Sequence, residues 1–508
     1  MRRLAPLVLL AVVAAGCAAP ATDVPAPAAP GAFTEVSGTL TSFDGTPIAY
    51  TILKPAAASA SHKVPVVLSS HGWGGTRCTS AVEACRPEIE AILGAGLGYV
   101  SFDQRGHGAS GGVARAMDPE FEVRDARLVI DEIARWDWVL LDGPGDPRLG
   151  ATGDSYGGGF QLMTALEETR LEGRARLDAL APRITWNDLV TSLAPGGVPK
   201  TAHVTALHSA HVTGTARLHE DFVRWYALTM ATGEVPPEAE AELRRHSPAW
   251  YAENGVLLDV PVLFLQGAED TLFPLNEAWR TYETVLSPAA RNVSMVVGHR
   301  AGHALPGLQA QRPDNPCAGE DRWTAPALVT RWQRVHLLGE PHDLGARMQL
   351  ADAEGNCLRL DALPPRGAPR DVAPLTPVGT PVSLEAGARV LLPVAEGPLS
   401  LAGIPSFAAN ATGLHPDARL FFALAVGPSA ANATVIGQQW TPVRGAPATS
   451  LALATDLRGV VERVPAGQSV FLVVAPAVEQ YAAHGSRGPG AVVLTDVRVS
   501  LPFVDEAG

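Results

Sequence analysis

The feature that most constrains this chain is the stretch Leu149-Gly150-Ala151-Thr152-Gly153-Asp154-Ser155-Tyr156-Gly157-Gly158-Gly159-Phe160. An apolar, β-like run over 149–152 enters Gly-x-Ser-x-Gly, and a helical stretch from Phe160 leaves it. A strand that becomes a helix within so few residues crowds its own backbone, so Gly153 and Gly157 stand where any Cβ would clash. The turn presents Ser155 at a helix N-terminus, where backbone N–H groups can hold a developing oxyanion. In a chain with 50 glycines the short pattern recurs by chance. The strand before it and the helix after it give it weight.

The surrounding pattern supports that reading. Short apolar runs at 64–69, 99–102, 149–152, 262–265 and 293–297 alternate with helical candidates such as 122–140 and 160–168. Strands alternating with helices imply an α/β class, a parallel sheet covered on both faces. Upstream, an apolar strand runs into His71-Gly72-Trp73-Gly74-Gly75, a loop able to offer a second oxyanion donor. The expected donors are the backbone N–H groups of Trp73 (or Gly72) and of Tyr156. Downstream, Leu265-Gln266-Gly267-Ala268-Glu269-Asp270 places an acid just after a strand; Asp270 is the candidate and Glu269 reads as a solvated loop charge. After the run at 293–297 come His299 and His303, of which His303, flanked by small residues, is the candidate base and His299 its rival. The chain order Ser155, Asp270, His303 fits a nucleophile, orienting acid and base. No metal-ligand spacing occurs among the 14 histidines, and His203, His208 and His211 read as a polar surface. Neither a metal nor a cofactor is expected.

The ends of the chain carry different messages. Arg2 and Arg3 precede a short apolar core, and Val13-Ala14-Ala15-Gly16-Cys17 resembles a bacterial lipobox. Residues 1–16 are therefore expected to be a signal peptide and Cys17 a lipidation site, giving an exported protein anchored to the membrane, or a secreted one if the leader is cleaved without acylation. Loss of the two arginines makes the formal net charge of −13 still more negative, which argues against a nucleic-acid partner. The other cysteines, Cys78, Cys85, Cys317 and Cys357, are even in number, and an oxidising compartment lets them pair. Of three connectivities, Cys78–Cys85 with Cys317–Cys357 is the expected one. Residues 17–35, rich in Ala, Pro and Thr, read as a tether. The catalytic domain is expected over 36–340, with a helical cap over about 180–255. From 345 to 508, short β-rich runs at 389–394, 419–426, 434–440, 449–453, 469–476 and 491–501, separated by Gly and Pro, predict an all-β sandwich. The Pro/Arg-rich stretch 363–377 is expected to wrap onto it.

Three motifs carry a family resemblance. Asp103-Gln104-Arg105-Gly106-His107-Gly108-Ala109-Ser110-Gly111 resembles a turn of α/β-hydrolases. Gly153-Asp154-Ser155-Tyr156-Gly157-Gly158 and the stretch from Asp178 through Pro182, Arg183, Trp186, Asn187 and Asp188 to Leu189 resemble the X-Pro dipeptidyl-peptidase and cocaine-esterase (CocE/NonD) family. The likeness is strong over 40–305 and looser beyond 345. It implies a doubly wound α/β-hydrolase sheet with a helical cap, followed by a jelly-roll domain that helps enclose the site. The chain departs from the family in two places. Relatives often use a Tyr side chain in the oxyanion hole, where this chain has His71-Gly72-Trp73; and a Gly-Pro-Trp before the base is replaced by Gly298-His299-Arg300.

The resemblance and the motifs together predict a serine hydrolase working through an acyl-enzyme on a small molecule or short peptide. Cleavage of an acyl amide, as by an X-Pro dipeptidyl-peptidase, and cleavage of a carboxylic ester are both expected possibilities. A peptidase needs an anion for the substrate's free amine, for which Asp188 or Glu220 could serve. An esterase needs an apolar pocket, which Trp73, Tyr156, Trp186 and Trp250 could line, with Trp186 and Trp250 the substrate-binding candidates. A third reading is a surface-binding lipoprotein with a vestigial hydrolase domain.

Overall fold

The computed structural model describes residues 32–303, 317, 325–341, 344–352, 355–362, 370–371, 379–447, 449–486 and 490–504. The leader and Cys17 lie outside these residues, as does most of the stretch 363–377.

Uninterrupted apolar runs are what a strand needs when both faces of its sheet are covered. β1 (Phe33–Thr41) and β2 (Pro47–Pro55) form a hairpin, and β3 (Val66–Ser70) follows, buried throughout. α1 (Arg86–Gly94) and β4 (Gly98–Phe102) come next, then α2 (Glu122–Ile133). α2 is amphipathic, burying Val123, Ala126, Val129, Ile130 and Ile133 along one stripe. A small ribbon of β5 (Leu141–Gly143) and β6 (Asp146–Pro147) leads into β7 (Leu149–Asp154), α3 (Tyr156–Glu172) and β8 (Ala179–Arg183).

The cap follows β8 as α4 (Leu189–Leu193), α5 (Thr201–Val212), α6 (Glu220–Thr232), α7 (Pro237–Arg245) and α8 (Pro248–Glu253). The chain then returns through β9 (Leu263–Gly267), α9 (Leu275–Arg280), α10 (Pro288–Val293), β10 (Met295–His299), α11 (Ala325–Leu338), β11 (Met348–Ala351) and β12 (Cys357–Leu360).

Ten strands make one sheet in the order β1-β2-β4-β3-β7-β8-β9-β10-β11-β12, parallel from β4 to β11. From β3 the chain first winds outward to β4 and then reverses to β7 on the other side. The carboxyl ends of β3 and β7 therefore flank the switch point, where doubly wound sheets hold their ligands. One face packs on α2 and α3 through Phe160, Leu162 and Val129; the other packs on α1 and α11 through Ile89, Ile92 and Trp332.

Three boundaries expected from sequence are corrected. Residues 180–183 belong to β8, in the sheet and not in the cap, because Leu180 and Ala181 are buried between β7 and the strand after it. The sheet continues past 345 through β11 and β12, whose parallel and antiparallel pairings extend β10. Finally, Phe33 to Glu35 pair with β2 as part of β1, so the tether expected to reach 35 gives way to a strand at Phe33.

The sandwich contains β13 (Arg370–Asp371), β14 (Thr380–Ser383), β15 (Val390–Glu396), β16 (Leu399–Gly403), β17 (Ser406–Thr412), β18 (Arg419–Gly427), β19 (Thr434–Val435), β20 (Thr441–Arg444), β21 (Ser450–Asp456), β22 (Val460–Val464), β23 (Ser469–Ala475) and β24 (Ala491–Leu501). Two five-stranded antiparallel sheets face each other across Leu420, Phe422, Leu472, Leu494 and Phe407, with β16 and β22 as a separate pair. This second domain docks on the first at α9. Asn276 Nδ2 donates to Leu457 O at 3.0 Å, Gly459 N donates to Asn276 Oδ1 at 2.7 Å, and Arg280 pairs with Asp456 at 3.0 Å.

Candidate active site

Ser155 occupies the turn between β7 and α3 at φ 54° and ψ −112°, a left-handed conformation uncommon for a residue with a side chain. The backbone holds it there. Ser155 N donates to Arg183 O at 2.8 Å, and Ser155 O accepts from Gly158 N, Gly159 N and the Thr185 hydroxyl. The glycines are demanded by contact: a Cβ on Gly153 would meet Gly157 O at 2.5 Å, and one on Gly157 would meet Ser70 O at 2.2 Å. Asp154, between them, is tied to Arg183, which also reaches Glu88.

His303 Nε2 lies 3.0 Å from Ser155 Oγ, and His303 Nδ1 lies 2.8 Å from Asp270 Oδ2. A carboxylate only accepts, so Nδ1 carries the imidazole proton and Nε2 is left to accept from the serine hydroxyl. Asp270 is fully buried, and its other oxygen accepts from Leu272 N at 2.9 Å and Phe273 N at 2.8 Å. Gln266 Nε2 completes its surroundings at 3.4 Å. The rival His299 ends β10 with Nδ1 accepting from Ala301 N, and burial pushes its pKa down to about 4.

The loop after β3 lies against Ser155. A Cβ on Gly72 would sit 3.4 Å from Asp154 O and 3.7 Å from Ser155 Cβ. His71 fixes the loop from behind: its Nε2 accepts from Gln104 N at 3.1 Å, so Nδ1–H donates to Gly72 O at 2.8 Å. Burial lowers the His71 pKa, which keeps the ring neutral and suited to that pair of bonds. Trp73 anchors the loop to the cap through Nε1, which donates to Leu207 O at 3.0 Å. The Tyr156 side chain points into the core, its hydroxyl accepting from Met117 N at 2.9 Å and donating to Glu122 at 3.2 Å. Its backbone N–H begins α3, where helix donors have no intrahelical partner.

Beside the site opens a cavity of about 1130 Å³, mouth included, roofed by the cap. Its wall is a run of rings leading from His303: Phe273 meets His303 edge-on at 5.1 Å, Trp186 meets Phe273 at 5.6 Å, Tyr156 stacks on Trp186 at 6.3 Å, and Trp73 meets Tyr156 at 5.0 Å. Trp186 is held by Nε1 donating to His246 O at 3.0 Å. Trp250, the other expected substrate contact, does not line this cavity. On the short α8 it packs edge-on against its neighbour Tyr251, whose hydroxyl donates to Glu167. Neither expected ammonium anchor reaches the cavity: Asp188 caps α4 and pairs with Arg244, and Glu220 is exposed on the first turn of α6.

Lys200 and Gln439 were not singled out in the sequence, and His203, expected on a polar surface, is buried instead. Lys200 is buried at the start of α5, with Nζ donating to Thr271 O at 2.6 Å and Leu272 O at 2.9 Å. His203, one turn on, has Nε2 2.9 Å from Thr271 Oγ1, and burial beside Lys200 pushes its pKa down to about 2. From the sandwich, Gln439 Nε2 donates to Asp270 O at 2.9 Å. The acid loop is thus gripped from the cap on one side and from the second domain on the other. Among the described residues, no group of three His, Cys, Asp or Glu side chains gathers as a metal ion requires. The structure joins Cys78 to Cys85 and Cys317 to Cys357.

A doubly wound sheet that carries a serine on a strained strand-to-helix turn at its switch point defines a serine hydrolase of the α/β-hydrolase type. Within that class the chain belongs to the X-Pro dipeptidyl-peptidase (S15) family, which residues 44–304 match. An α-amino acid ester hydrolase resembles it at TM-score 0.64 and 15% identity, over 95% of this chain and 98% of the other. An aminopeptidase from a marine-sediment Thaumarchaeota archaeon does so at 0.65 and 13%, over 96% and 98%. A CocE/NonD family hydrolase from Staphylococcus aureus does so at 0.63 and 13%, over 93% and 94%. At these identities the likeness is one of fold, and it spans both domains. In sequence, a candidate serine esterase of Mycobacterium bovis is 24% identical over 236 residues, 42% of this chain and 34% of that protein. The chain therefore spans about a third of the length of the curated relatives it matches.

Proposed function

We propose that this hydrolase forms an acyl-enzyme on Ser155, with His303 as general base and then general acid and Asp270 as the group that orients the imidazole. The observation that carries the reading is the unbroken line of hydrogen bonds from Ser155 Oγ through His303 to Asp270, at 3.0 and 2.8 Å. As Ser155 Oγ attacks the carbonyl carbon, its proton passes to His303 Nε2, and the buried Asp270 carboxylate stabilises the imidazolium. The N–H groups of Tyr156 and Trp73 receive the oxyanion. His303 returns the proton to the leaving group, and water then repeats the cycle on the acyl-enzyme.

Ester cleavage is the better-supported reaction. A dipeptidyl-peptidase must neutralise a substrate ammonium, and no carboxylate is among the described residues lining the cavity. The esterase relatives point the same way; the family's peptidases are the reason to test amides beside esters. Ser155→Ala is expected to lower turnover by roughly 10³-fold or more. A fluorophosphonate should label Ser155 and nothing else in the chain. Unchanged hydrolysis in Ser155→Ala, or labelling elsewhere, would sink the assignment.

The apolar leader and Cys17 support export with a lipid anchor. Cys17→Ser should abolish incorporation of labelled palmitate and release the protein from membranes. Retention of both would exclude that anchor.

A further inference from the structure

We infer that the cap cavity is an acyl-chain chamber, and that the hydrolase acts on esters of extended apolar acids rather than on acetyl, aminoacyl or dipeptidyl groups. The inference rests on the acyl-enzyme reading and adds to it the class of acid cleaved. Its first support is chemical: no Asp, Glu, Lys or Arg is among the lining residues, and the polar ones are few. Of these, Tyr226 donates its hydroxyl to Thr205 and His208 lies flat on the Tyr226 ring at 3.9 Å, which leaves Trp225 Nε1 and His208 Nδ1 as single buried nitrogens without a partner. Two nitrogens are too few to replace the water that a group bearing charge or several polar atoms would lose there. The second support is connection. The rings of Phe273, Trp186 and Tyr156 run from the His303 imidazole into the chamber, so a chain attached at the Ser155 acyl carbon has a continuous apolar wall to follow. The third is extent: every cap helix from α4 to α7 contributes apolar side chains to the wall, far more surface than an acetyl group could touch.

Each methylene carried into such a chamber should raise kcat/KM by about fourfold, the ratio that follows from burying one CH₂. The test uses the full chain with p-nitrophenyl acetate, butyrate, octanoate and dodecanoate, beside Gly-Pro-p-nitroanilide. The expected result is a steep rise from acetate through octanoate, with the dipeptide amide far slower. Leu193→Trp, which places a large ring in the chamber, should lower the octanoate-to-acetate ratio by tenfold or more. Fluorophosphonate labelling of Ser155 in the variant shows that its fold and nucleophile survive, and Val190→Phe provides a second filling should the first fail that check. A flat or falling series beyond butyrate, a dipeptide amide preferred over every ester, or a ratio unmoved in a labelled variant would overturn the chamber while leaving the Ser155 assignment standing. Activity that survives Ser155→Ala would instead remove the reading on which the chamber depends.

Discussion

Gly157 shows how little freedom the nucleophile turn allows. A methyl group there would lie 2.2 Å from the Ser70 carbonyl, in backbone that cannot step aside. Gly157→Ala is expected to cost about 2–4 kcal/mol by overpacking and to abolish fluorophosphonate labelling; denaturant midpoints and labelling together check it. Lys200 offers a prediction of a different kind. Burial holds its pKa well below the usual 10.5, so between those two values the unfolded chain carries a proton that the folded chain lacks. Stability from this group therefore rises with pH across that window. Urea midpoints at neutral and alkaline pH should show the rise in the wild type and its loss in Lys200→Met; parallel curves would contradict it. At this scale the sequence was legible where chemistry is local. The elbow glycines and Ser155 sit in one short motif. Lys200 and Gln439 lie 71 and 169 residues from the loop carbonyls they hold, and only the fold brings them there.

Among elements, the loop joining β9 to α9 is the one on which three parts of the molecule converge. The side chain of Gln439 reaches it from a short helical turn just before β20, and Lys200 and His203 reach it from α5. Gln439→Leu removes the bond to the Asp270 carbonyl and should reduce stability by only about 1 kcal/mol. On the proposed mechanism a displaced carboxylate no longer orients His303, so kcat is expected to fall roughly tenfold with KM changed much less. Steady-state kinetics beside a melting curve separates the two effects, and an unchanged kcat would show that the loop holds itself. Sequence pattern located the strands that are long apolar runs, such as β3, β7 and β24. β11 and β12 are not legible there because each is only four residues long, and β12 pairs only with β11. The expected cap boundary at about 180 falls inside β8 because Pro182 and Arg183 end its apolar run early, although their backbone still pairs with β7.

Across the whole molecule, two disulfides brace the catalytic half. Cys317–Cys357 closes a loop of 40 residues ending in the edge strand β12, and Cys78–Cys85 closes one of 7 beyond the oxyanion loop. By loop-closure entropy they should contribute about 4 and about 2 kcal/mol, so reduction is expected to lower the melting temperature, with Cys317→Ser costing more than Cys78→Ser. Equal losses would mean that loop length is not what matters here. The sandwich was visible in the sequence as regularly spaced strands and turns, but its role was not. The amide that Gln439 extends to the loop of Asp270 means that the support of that loop is not encoded within residues 44–304 alone. A descendant that lost its second domain would keep every recognisable motif of the nucleophile, acid and base, yet its acid would stand on a loosened loop. Counting such genes by their motifs would then overstate the activity they encode.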